Sequence, residues 1–209
     1  MEKQRARTTE EKELRKIKLL SSAKKIFSEY GFQGTKITMI TENAGLSPAA
    51  FYLYFKNKIE IYRILSIEGT ELLTKMVEKA LSIKVKKCAP RIKALAEAYF
   101  GFFQKERAYY DIITVHHLGQ KDFFQNMNLV PQLEKQSLDL LKILAMIIEE
   151  GINSGEFKKL NAWKTAVTLW GMMDGVLLME VRKTTGYIDL DIKSLTAQFQ
   201  LLCLEALKK

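Results

Sequence analysis

A tight turn, Ala44-Gly45-Leu46-Ser47, lying between two short helical segments, constrains this chain more than any other feature. Glycine enters left-handed backbone without steric cost, so Gly45 lets the chain reverse direction within a few residues. Ser47 is then placed to accept from the free amides of a new helix. Pro48 suits the first position of that helix, because its missing N–H would have had no intrahelical partner there. Ile37, Ile40 and Ala44 before the turn, Leu46 within it, and Phe51 and Phe55 after it are spaced to lock the pair against a preceding helix. Two short helices joined in this way form a helix-turn-helix, whose second helix lies in the DNA major groove.

The flanking segments extend the same all-α pattern. Leu14, Ile17, Leu20, Ala23, Ile26 or Phe27, and Tyr30 recur three or four residues apart, predicting a helix over 10–30 that Gly31 stops. Either Thr35 or Thr38 is placed to cap a second helix ending near Ala44, and a third spans 48–55. After Lys56-Asn57-Lys58, the stripe Ile61, Ile64 or Leu65, Leu72, Met76 and Ala80 predicts a long helix that ends within 84–90. Further helices are expected over 91–105, 108–118, 131–154, 162–183 and 191–208, with a short one near Phe123 in an otherwise loop-like 119–130; nothing reads as a strand. The expected fold is all-α with about nine helices. A three-helix DNA-binding domain over 1–60, opening on a flexible basic arm over 1–9, is joined by the long helix to a helical domain over 61–209.

Charge supports that division. Residues 1–63 carry 13 basic and 7 acidic side chains, +6 of the net +9 in under a third of the 209 residues, which marks this segment for a polyanion. Lys3, Arg5 and Arg7 read either as an arm entering the minor groove or as a plain tail. Cys88 and Cys203 are too few for a disulfide framework and have no metal-ligand spacing, which fits a reduced cytoplasm. The longest apolar run, 165–179, is interrupted by Asp174 and falls short of a membrane span, and no signal peptide is read at the start.

The wider string is more specific. Ala23-Lys24-Lys25-Ile26-Phe27, Tyr30-Gly31-Phe32-Gln33-Gly34-Thr35, the run from Ile40 to Ser47, and Phe51-Tyr52-Leu53-Tyr54-Phe55-Lys56-Asn57-Lys58 closely resemble the DNA-binding domain of the TetR family of transcription regulators over about residues 14–63. Beyond it the likeness is architectural, with Gly151-Ile152-Asn153-Ser154-Gly155-Glu156-Phe157 ahead of the last two helices. Two departures fall in helix 2: Lys36 follows Thr35 where a second threonine is common, and Thr41 replaces the usual alanine. The resemblance implies that Lys58 contacts phosphate at a helix N-terminus, that the Tyr52 and Tyr54 hydroxyls reach phosphate or bases, and that Phe51 and Phe55 turn into the core. Ser47, Pro48, Ala49 and Ala50 would lead the recognition helix into the groove. Two alanines offer only methyl contacts, so Lys36, Thr38 and Tyr52, together with DNA shape, would carry much of the reading.

For the second domain the resemblance implies a small effector inside the bundle and a homodimer through the last two helices. Phe103, Tyr110, His116, His117, Phe124, Trp170 and Met173 are the candidate pocket residues, and an apolar lining favours an apolar or aromatic effector. Trp163, Val167, Leu177, Phe199 and Leu202 are the candidates for the dimer interface. His116 and His117 have no third ligand at metal spacing, and no nucleophile string or ExxH pair is present, so neither a catalytic residue nor a metal or other cofactor is expected. The expected function is a repressor released from a palindromic DNA operator by its effector. A chromosome-associated DNA binder of the same fold without an effector, and a helical-bundle enzyme, are the alternatives.

Overall fold

The computed structural model describes residues 2–82, 85–114 and 130–209, with side chains from residue 9 in the first stretch and from residue 138 in the last. Among them are nine α-helices and no strand: α1 (Glu2–Gly34), α2 (Ile37–Asn43), α3 (Pro48–Phe51), α4 (Lys58–Leu81), α5 (Cys88–Lys105), α6 (Arg107–Ile113), α7 (Val130–Asn153), α8 (Ala162–Val181) and α9 (Ile192–Leu207). No helix of the described residues is long and apolar enough to cross a membrane. The expected short helix at Phe123 lies outside the described residues.

Gly31, at φ 67°, breaks α1 at the predicted place, and only the short 32–34 segment continues beyond it. At its other end α1 begins at Glu2, so residues 2–9 of the arm expected to be flexible over 1–9 are helical. Residues 2–18 are rich in Glu, Lys and Arg and contain neither glycine nor proline, a composition that lets the helix propagate. The α2 cap also differs from expectation. Lys36 holds that position, while the Thr35 hydroxyl turns back to donate to the Gly31 carbonyl at 2.6 Å, tying down the residues around the break.

The chain packs as two compact units, residues 1–69 with 107–130, and residues 70–106 with 131–209. In the first, Leu19, Ala23, Phe27, Ile40, Phe51, Phe55, Ile61 and Leu65 are nearly or fully buried. Phe27 and Phe32 each meet the Tyr62 ring edge-on. Helix α6 is sewn into this unit. Tyr62 donates to the Ile112 carbonyl at 2.7 Å, Ser28 and Arg107 both donate to Asp111 at 2.8 Å, and Lys24 lies 4.3 Å over the Tyr109 ring.

The second unit centres on Cys88, Ile92, Ile147, Ile148, Phe157, Ala166 and Leu207. Lys87 offers α5 no side-chain cap; instead the Glu156 carboxylate accepts from the Cys88 and Ala89 amides at 2.8 and 2.7 Å. Asn161 and Asp191 cap α8 and α9. On α4, Leu73 and Val77 are buried where Leu72 and Met76 were expected, a shift of one residue around the helix.

Candidate nucleic-acid interface

The turn forms as its residues dictate. Gly45 sits at φ 66°, the Leu46 amide donates to the Thr41 carbonyl at 2.8 Å, and Ser47 accepts from the Ala50 amide at 3.2 Å with Pro48 at the first helical position. A buried bond from the Ser22 hydroxyl to the Ile40 carbonyl, 2.6 Å, fixes α2 against α1. Thr41, the departure in α2, is fully buried and returns its hydroxyl to the Ile37 and Thr38 carbonyls, so it takes no part in the exposed face.

Phe51 and Phe55 are buried, which sets the opposite side of the α3 segment toward solvent. Lys36, Thr38, Ser47, Pro48, Ala49 and Tyr52 are exposed; Ala50 and Tyr54 are half-buried. Past α3 the helical path continues to Phe55 through successive backbone bonds, so α3 is shorter than the predicted 48–55 while the chain keeps its direction. Leu53, left out by sequence reasoning, is the most exposed large apolar side chain of this segment, at 77%. The signal was available: a residue midway between two core aromatics at i and i+4 points away from the core.

Lys58 differs most from expectation. Its ammonium donates to the Phe32 and Thr35 carbonyls at 2.6 and 2.7 Å and lies 4.3 Å over the Phe32 ring, and burial pulls its pKa below the ordinary lysine value. Two of its three N–H donors are thus spent on the backbone at and just beyond the C-terminal end of α1. The α4 N-terminus is satisfied separately, by Asn57 accepting from the Glu60 amide at 2.9 Å and Glu60 accepting from the Lys56 amide at 2.5 Å.

The other predicted sets are scattered. Tyr110 is a fully buried core residue of the first unit. Phe103 and Met173 are buried in the second, where Trp170 is 40% exposed. His116, His117 and Phe124 lie outside the described residues. In the interface set, Trp163, Val167 and Leu202 are exposed, joined by Trp170, Met172 and Leu201. Leu177 and Phe199 are buried within the protomer. Helical spacing alone put them on the same stripe as their exposed neighbours.

Two further features belong to the second unit. The Tyr99 hydroxyl donates to Asp174 at 2.5 Å, and burial raises the Asp174 carboxyl to about 6 despite that bond. A cavity of about 260 Å³ is lined by Glu71, Thr74, Lys75, Glu78, Asp139, Leu140 and Ile143, with none of the described aromatic candidates among its walls.

Residues 19–63 match the family model described as bacterial regulatory proteins, tetR family. The chain is 26% identical over 160 residues to the HTH-type transcriptional regulator YhgD of Bacillus subtilis, covering 74% of this chain and 78% of that one. It is 28% identical over 144 residues to the fatty acid metabolism regulator protein of the same organism, covering 68% and 71%. In fold it is similar to the transcriptional regulator FadR from Bacillus subtilis solved in complex with stearoyl-CoA, with a TM-score of 0.71 and 20% identity over 91% of this chain and 98% of that one.

Proposed function

We propose that this chain, a member of the TetR family by its DNA-binding domain, is a sequence-specific transcription regulator that binds a palindromic operator as a homodimer and leaves it when a small effector binds. The carrying observation is the helix-turn-helix itself. Its core aromatics are buried, its turn and the α3 cap are satisfied, and the exposed face of α2 and α3 is open to a major groove. Residues 1–60 serve DNA reading, and residues 61–209 serve effector binding and dimerisation. Ser47, Pro48, Ala49, Ala50, Tyr52 and Tyr54 with Lys36 and Thr38 face the DNA, while Lys58 holds the motif in place. The exposed apolar residues of α8 and α9, Trp163, Val167, Trp170 and Leu202, form the seam between two copies. Such a protein works in the cytoplasm and is a regulator, not an enzyme.

The effector is an acyl chain, most simply a long-chain acyl thioester. Similarity to a fatty acid metabolism regulator and to a fold solved with stearoyl-CoA supports this. Coupling is reciprocal, so an effector that weakens operator binding must itself bind less tightly to the DNA-bound protein. Fluorescence anisotropy of a labelled operator, titrated with stearoyl-CoA and with free coenzyme A, tests the proposal. Release by the first and not the second is expected; no release by either refutes the acyl effector.

A further inference from the structure

We infer that the N-terminal extension of α1, residues 2–18, is a second DNA-contacting element that lies along the phosphate backbone flanking the half-site; this rests on the regulator reading above. The core of the first unit begins at Leu19, which is fully buried. From Glu10 to Lys18 every residue is exposed except Lys16, which is half-buried. Nearly three turns of helix, Thr9 to Lys18, therefore stand outside the unit that they lead into. An isolated helix of this length is marginal in water, and a surface that covers it supplies what the unit does not.

Charge identifies the surface. Residues 2–18 carry Lys3, Arg5, Arg7, Lys12, Arg15, Lys16 and Lys18 against four glutamates, a net of +3, on the helix that also packs against α2. Leu14 and Ile17, 58% and 52% exposed, are the apolar exception. Two side chains fall far short of the roughly 800 Å² per partner that a stable protein interface buries, which argues against a protein occupant. At 1.5 Å per residue, 17 residues reach about 25 Å, or roughly seven base-pair steps of duplex. Phosphate contacts along such a length add affinity and salt dependence without adding sequence information.

The test uses the full chain and two duplexes: the selected operator ending at its half-sites, and the same operator with ten more base pairs at each end. The variant carries Lys3→Gln, Arg5→Gln, Arg7→Gln and Lys12→Gln, with circular dichroism and sedimentation checking fold and self-association. Wild-type protein should show a steeper dependence of log K on log salt on the longer duplex, by about 2 or more, since each neutralised phosphate contributes about 0.9. The variant should lose that difference and bind the longer duplex about tenfold less tightly at moderate salt, with its base preferences unchanged. Equal slopes for variant and wild type on the longer duplex would overturn the inference, as would a loss of self-association, which would place the extension on a second copy. A wild-type protein that selects no sequence at all would instead overturn the regulator reading.

Discussion

Lys58 offers the sharpest separation between what the family pattern implies and what this fold does with the residue. Replacing it by Met keeps the length of the stem and removes the ammonium. The change deletes two charge-assisted hydrogen bonds, to the Phe32 and Thr35 carbonyls. Bonds to charged groups contribute about 1.5–3 kcal/mol each, and the half-exposed ammonium belongs at the low end, so a loss of about 3 kcal/mol is expected for the DNA-free protein. A lysine whose only partner is a phosphate would change DNA-free stability by less than about 0.5 kcal/mol. Urea denaturation at pH 7, followed by circular dichroism, reads the difference. Trp163 and Trp170 both lie in the second unit, so their fluorescence reports separately on that part. The same variant should leave the salt slope of operator binding nearly unchanged, whereas loss of a phosphate contact lowers it by about 0.9. Unchanged stability together with a slope reduced by that amount would refute the positioning role.

Three other predictions follow from the second unit. Asp174 titrates near 6 in the folded chain against 3.8 when free, so the native state keeps a proton that the unfolded chain releases, and stability falls as pH rises from about 4 to 6. Asp174→Asn preserves an acceptor for Tyr99 and should match wild type near pH 4 but exceed it by up to about 3 kcal/mol at pH 8, measured by thermal unfolding; a gain independent of pH would contradict the burial argument. In Gly151→Ala the new methyl would stand 2.2 Å from the buried Phe157 ring, and overpacking of this kind should cost at least 1–3 kcal/mol, with partial rescue by Phe157→Leu; a neutral result in denaturation would show that the ring can move. Val167→Glu, on the exposed α8 face, should yield monomers by sedimentation without lowering helix content, and an unchanged mass would place the dimer seam elsewhere.

Local signals were legible in the sequence because their physics is local. Gly45, Ser47 and Pro48 announce a turn and cap within four residues, and the structure uses each as expected. The α2 cap was less legible. Thr35 and Thr38 are both good cap residues, yet the break at Gly31 draws the Thr35 hydroxyl backward, an effect visible only once the chain has folded over α1. Helix periodicity found α4 but misplaced its buried stripe by one residue, since Leu72 and Leu73 are equally apolar. It found α6 without showing that Asp111, Tyr109 and Tyr110 pack into the first unit, because that depends on Ser28 and Lys24, some 80 residues away in sequence. The same ambiguity made Leu177 and Phe199 resemble interface residues: a stripe three or four residues apart does not say which neighbour covers it.

The central claim is that two copies of this chain read a two-fold symmetric DNA site through α2 and α3. Selection of bound sequences from random duplex DNA by this 209-residue chain, purified and shown by mass spectrometry to hold no ligand, tests it most directly. The account predicts an enriched palindrome whose half-sites lie one or more helical turns apart, about 10 base pairs or a multiple of that. Binding without any enriched sequence, or enrichment of a single unrepeated half-site, would contradict it.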